Sequence, residues 1–159
     1  MADEKKTALA NRVYGTICTV FDQKGWKYKK TEEKLQVSIG FRGEGLSTDF
    51  VIFVDVERQL VRLLSPLPFK MSEEKRIDGA IAVCAASDGL ADGSFDYNIE
   101  TGGITFRMTA CFRDSEVTEE LILYMVLCAS GTVENYNTKF LALSKGNMDV
   151  KTFIEDLQK

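Results

Sequence analysis

The chain has 159 residues, 45% of them hydrophobic and 28% charged, which are the proportions of an ordinary folding domain and exclude disordered, collagen-like and low-complexity classes. Twenty Lys and Arg against twenty-four Asp and Glu leave a net charge of -4 and no basic run longer than a pair such as Lys29-Lys30, a balance that repels a phosphate backbone and speaks against a nucleic-acid partner. Histidine is absent, so no Ser-His-Asp triad, Cys-His dyad, HExxH zinc site or imidazole proton shuttle can be assembled.

No apolar run approaches the ~18 residues that cross a bilayer, and the start Met1-Ala2-Asp3-Glu4-Lys5-Lys6 lacks the apolar core of a secretory signal. The expectation is a cytoplasmic protein with no membrane partner. Neither repeat nor linker divides the sequence, so it reads as a single domain over 1–159, with a core of about 8–146 and a short C-terminal helix of about 149–158.

From Thr7 to about Lys24, Leu9, Val13, Ile17, Val20 and Phe21 recur at helical spacing, and Gly25 ends the segment. Gly15 inside it costs about 1 kcal/mol relative to Ala, which close approach of another backbone would explain. From Trp26 and Tyr28 a period-two pattern sets in and becomes clear at Leu35, Val37, Ile39 and Phe41; Gly43-Glu44-Gly45 supplies the turn. Thr48 to Val56 is apolar on both faces and reads as a central strand. Gln59 to Leu64 is another, and Pro66 and Pro68 are expected to stop further pairing.

Ser72, followed by Glu73 and Glu74, opens a helix that runs to about Ala86. Ile77, Ala80, Ile81 and Cys84 mark one face of it, while Gly79, Ala82, Ala85 and Ala86 leave little bulk elsewhere apart from Val83, so a second surface can approach closely, either as a helix or subunit contact or as packing within one core. Ser94 to Glu100, the Gly102-Gly103 turn and Ile104 to Phe112 read as a hairpin, with Ile104, Phe106, Met108, Ala110 and Phe112 on one face. Thr118 then caps a helix whose residues Leu121 to Ala129 are apolar all round, which Gly131 is expected to interrupt before a second segment ending at Lys145-Gly146. Asp149 caps a tail helix bearing Val150, Phe153, Ile154 and Leu157. The whole is an α+β domain with helices packed on a mostly antiparallel sheet.

Among chemical motifs, Gly43-Glu44-Gly45 lacks the third glycine and the following helix of a phosphate loop. Asp88, Asp92, Gly93 and Asp96 match a calcium-loop register in part, but Leu90 and Ile99 occupy two ligand positions. Arg107 and Arg113 share the polar face of one strand, and Arg42 or Arg62 can join them, forming either an anion-binding or partner-binding face or a plain solvated one. Cys18, Cys84, Cys111 and Cys128 form no CxxC pair, and their neighbours place at least three in shielded positions, with Cys111, which shares a strand face with Thr109 and Arg113, as the expected exception. Nothing calls for a cofactor or a metal, and an enzyme would need Cys, Lys or a carboxylate pair working without His.

The order helix, antiparallel strands, Ala-rich helix, hairpin, long helix resembles the YbjN-type family, a bacterial group described as candidate sensory transduction regulators. The resemblance is carried by Asp92-Gly93-Ser94-Phe95-Asp96-Tyr97, Gly102-Gly103-Ile104-Thr105-Phe106-Arg107, Val117-Thr118-Glu119-Glu120-Leu121 and Leu143-Ser144-Lys145-Gly146, over roughly Ala8 to Gly146. It implies a fold like that of type III secretion chaperones and a non-enzymatic homodimer that binds another polypeptide or acts as a regulator; the alternative is a small-molecule or anion sensor. A dimer also follows from counting faces, because Gly79, Ala82 and Ala86 of one helix and Ile122 and Val126 of another offer more coverable surface than one core needs. The tail helix folding back within the chain is the competing way to cover it.

Overall fold

The computed structural model describes residues 2–43 and 45–158; Glu44, in the expected turn, lies outside them. Four helices, α1 (Ala2–Gln23), α2 (Arg76–Asp88), α3 (Glu119–Ser144) and α4 (Val150–Leu157), accompany strands β1 (Lys29–Thr31), β2 (Gln36–Arg42), β3 (Ser47–Asp55), β4 (Leu60–Lys70), β5 (Ser94–Asn98) and β6 (Gly103–Cys111). The strands form one sheet in the order β1-β2-β3-β4-β6-β5, every pair antiparallel. The fold is therefore α+β, a six-stranded antiparallel sheet with four helices packed on it, and β3 and β4 are its central strands.

Alternation decides which face is buried. Val37, Ile39, Phe50, Ile52, Val54, Val61, Leu63, Ile104, Phe106 and Met108 all point to one side and are at most 5% exposed. α1 lies over β3 and packs on α3; α3 crosses β4 and β6, while α2 flanks β5. Buried residues of α1 (Ala10, Val13, Ile17, Val20, Phe21) follow the helical period that marked this face in the sequence. Both long helices stop at a glycine with positive φ, Gly25 and Gly146. After each, an N–H reaches back five residues, Trp26 to Phe21 and Asn147 to Ala142, closing the last turn. Thr118 caps α3 by accepting from the Leu121 N–H at 3.2 Å, and Asp149 caps α4 by accepting from the Thr152 N–H at 2.7 Å.

Five expectations change. The run from Trp26 to Phe41 is not one strand: Leu35 adopts a left-handed conformation (φ 46°) after a 3-10 turn at Glu32–Lys34, separating β1 from β2. β4 continues through both prolines. Pro66 is in register with Thr105 of β6; having no N–H, it sits there as a non-hydrogen-bonded pair with its nitrogen turned toward β3. Leu64 pairs with Val51, and pairing to β3 ends there because the next position with that sidedness has no donor. Ser72 makes no side-chain cap, and a 3-10 turn at Glu73–Lys75 precedes α2. α3 is continuous through Gly131, since burial of Val133, Phe140 and Leu143 outweighs the ~1 kcal/mol glycine penalty. Nothing lies within 4 Å of a Cβ built on Gly15, so no close backbone explains that residue.

Candidate functional site: the open face of the sheet

All the helices lie on one side of the sheet, and the other side is left to solvent. Its centre is apolar: Val51 and Phe53 on β3, Leu60 and Leu64 on β4, all half-buried, with exposed Pro66 beyond them. Register brings them together, because Val51 stands opposite Leu64 and Asp55 opposite Leu60. Asp49 and Asp96 are exposed on the same face, and half-buried Asp55 bounds one end. A groove of about 720 Å³ runs over the β4, β6 and β5 part of this face, with Arg62, Leu64, Pro66, Asp96 and Thr105 in its floor and Phe69, Lys70 and Ile99 at its rim.

The arginines are divided by this geometry. Arg107 reaches across to β5 and holds Asp96 through both Nε and Nη2, at 2.7 and 3.0 Å. That hydrogen-bonded carboxylate raises the guanidinium pKa and takes its charge out of play. Arg62 stands opposite Thr109, two residues from Arg107, which sets the two arginines about 7 to 8 Å apart as diagonal neighbours. Its guanidinium lies 5.3 Å from the Phe53 ring centroid, a cation–π contact that keeps the charge over an apolar surface. Arg42 does not join them: Arg62 faces Phe53, which faces Gln36, and Arg42 is about 20 Å further along β2. Arg113 is exposed beyond the end of β6, after Phe112 has returned to the core. A guanidinium held over an aromatic ring in an apolar setting is a poor anion clamp.

The helix residues singled out as a dimer or packing surface resolve to packing. Gly79, Ala82, Ala86, Ile122 and Val126 are all buried within one chain. A Cβ on Gly79 would come within 2.6 Å of Met71 Cγ and 2.8 Å of Tyr97 Oη, so the small-residue side of α2 serves close contact with its own sheet. The outward side of α2 carries the exposed apolar groups instead, with Ile77 64% and Ile81 44% exposed. Ile77, Ile81 and Cys84, which helical spacing groups with Ala80 as the marked face of this helix, thus turn outward, because the close contact of Gly79 with Met71 and Tyr97 draws the small-residue side inward.

Cys84 joins that outward side and is exposed, contrary to the expected shielding; Cys111 is exposed, Cys128 half-buried and Cys18 buried. The acidic turn is engaged locally, since Asp92 accepts from Tyr124 Oη at 3.1 Å and from the Gly93 N–H at 2.8 Å. No helix among the described residues is long and apolar enough to cross a membrane. The sequence matches no family model and no curated protein.

Proposed function

We propose that the chain is a non-enzymatic, chaperone-like or regulatory module that binds polypeptides and works as a homodimer in the cytoplasm. The observation that carries this reading is the uncovered sheet face with its apolar centre of Val51, Phe53, Leu60 and Leu64. An apolar sheet face is normally covered by a second layer, and the chain's own helices are all used on the other side. The residues resembling the YbjN-type family, and through it the type III secretion chaperone-like fold, support the same reading.

The open face suits a second copy of itself. A two-fold axis running along the strands between β3 and β4 would set Val51 of each copy on Leu64 of the other and Phe53 on Arg62, at the ~10 Å separation of stacked sheets. The Arg62–Phe53 contact would then be repeated across the interface.

Sedimentation of the wild type and of a Val51→Glu, Leu64→Glu double variant tests this. The reading expects dimer mass for the first and monomer mass for the second, with unchanged far-UV circular dichroism. A wild type that stays monomeric across the accessible concentrations overturns the dimer. The groove holding Arg62 and Lys70 favours one competing reading, a small-molecule or anion sensor; a ligand-dependent rise in melting temperature, abolished by Arg62→Ala, would support that instead.

A further inference from the structure

We propose that the outward stripe of α2 is a docking site for a cationic amphipathic helix of another protein. The inference rests on the polypeptide-binding reading and gives the partner's chemistry.

Ile77, Ile81, Cys84 and Asp88 are all exposed and recur at i, i+4, i+7 and i+11, one line along the helix about 16 Å long. Ile77 and Ile81 are among the most exposed large apolar side chains of the described residues, and they are aligned on one helix rather than scattered. Carboxylates bracket the line. Glu73 and Glu74 stand exposed at its beginning and Asp88 at its end, and none of the three forms an ion pair among the described residues. Of the two cations at the beginning of the line, Lys75 is already 3.4 Å from Asp78 and Arg76 is half-buried.

The two ends differ in what they say. Glu73 and Glu74 lie where a helix macrodipole favours negative charge, so the fold alone accounts for them. Asp88 does not: it occupies the last turn, the negative end of the dipole, and no basic residue is present there to offset it. An exposed isoleucine pair and an acid at the wrong end of the helix are both unfavourable in the isolated chain. A partner that lays an apolar face on Ile77 and Ile81 and brings Lys or Arg to both ends relieves both at once.

A second copy is the wrong occupant. Antiparallel pairing of α2 with itself about Ile81 would set Glu74 of one copy against Asp88 of the other, two like charges across a closing interface.

The test uses the full chain and a pair of amphipathic helical peptides sharing one leucine face, one with lysines and one with glutamates on the other face. Fluorescence anisotropy is expected to show the lysine peptide binding, more weakly as salt is raised, and the glutamate peptide failing to bind. Ile81→Glu should weaken the lysine peptide by roughly tenfold or more, and a Glu74→Gln, Asp88→Asn variant should reduce the salt dependence. Three results would overturn the proposal: equal or no binding of the two peptides, undiminished binding by Ile81→Glu, or loss of self-association in that variant, which would give the stripe to a second copy. Because Ile81 is remote from Val51 and Leu64, a negative peptide result beside an intact open-face dimer sinks this inference and leaves the broader reading standing.

Discussion

Phe153 of α4 packs on Phe140 of α3 with ring centroids 5.0 Å apart and planes inclined by 35°, and both side chains are fully buried. Phe140 in turn meets Phe95 at 5.1 Å, and Phe95 meets Phe106 of the sheet at 5.2 Å. The tail helix is thus the outer end of an aromatic chain that reaches the buried face of β6. It covers α2 and α3 within one chain, the alternative that competed with a dimer in the sequence reading.

Phe153→Ala is therefore expected to cost about 3 to 5 kcal/mol, the range for emptying a fully buried aromatic site. Urea unfolding should show the lower midpoint with the slope preserved. Ending the chain at Gly146 removes the whole lid, and the shortened protein should aggregate at concentrations where the full chain stays dispersed. A truncated chain with wild-type stability would show that the packing of α4 is incidental.

Two glycine substitutions should move stability in opposite directions. Gly79→Ala forces a methyl group against Met71 and against Tyr97, whose hydroxyl donates to the Arg76 carbonyl at 2.9 Å, and should cost about 1 to 3 kcal/mol. Gly131→Ala meets nothing within 4 Å in the middle of α3 and should stabilise by about 0.4 to 1 kcal/mol. Thermal melts of the two variants read the signs directly.

The thiols should react in a graded order. Cys84 and Cys111 are exposed, Cys128 is half-buried and Cys18 lies in the core. Two fast equivalents of a thiol reagent are expected, then a slower third, with Cys18 labelled on unfolding. A single fast equivalent would contradict the exposed position of Cys84.

Acid should act in part through Asp55. The Arg58 backbone N–H donates to its carboxylate at 3.0 Å and the Arg58 guanidinium adds a second bond at 3.1 Å, holding the Asp55 pKa below its ordinary value. A pKa lower in the folded than in the unfolded state gives stability that is present above the ordinary carboxylate pKa of about 4 and is lost as pH falls through the depressed value. Asp55→Asn should therefore flatten the fall of the urea midpoint on acidification. An unchanged acid slope would assign that slope to other carboxylates.

What could be read from residues alone follows from which signals are local. β2, β3, β5 and β6 announce themselves because alternation has a period of two and their turns are short, and the caps Thr118 and Asp149 because their chemistry is complete within three residues. Continuity of α3 through Gly131 was hidden, as it depends on distant partners for Val133 and Phe140. On the open face, residue parity grouped Arg107 with Arg113 and let Arg42 or Arg62 join them, but β6 ends before Arg113, and the choice of Arg62 over Arg42 depends on strand register, which no local pattern records. On α2 the bulk of Ile77, Ile81 and Cys84 marks the wrong face, because the inward side is set by the close approach of Met71 and Tyr97 to Gly79, residues distant in the sequence.

The pair of prolines in β4 bears on how the molecule stays dispersed. Beyond Leu64 this strand keeps its ladder to β6 but has none to β3, and a border without a ladder is the kind along which foreign strands add and fibrils begin. Pro66 presents no donor to that border and Pro68 has none to give, so an incoming strand finds acceptors without the alternating donors that a ladder requires. The same two residues that keep β3 from closing on the end of β4 thus keep other molecules from closing on it as well.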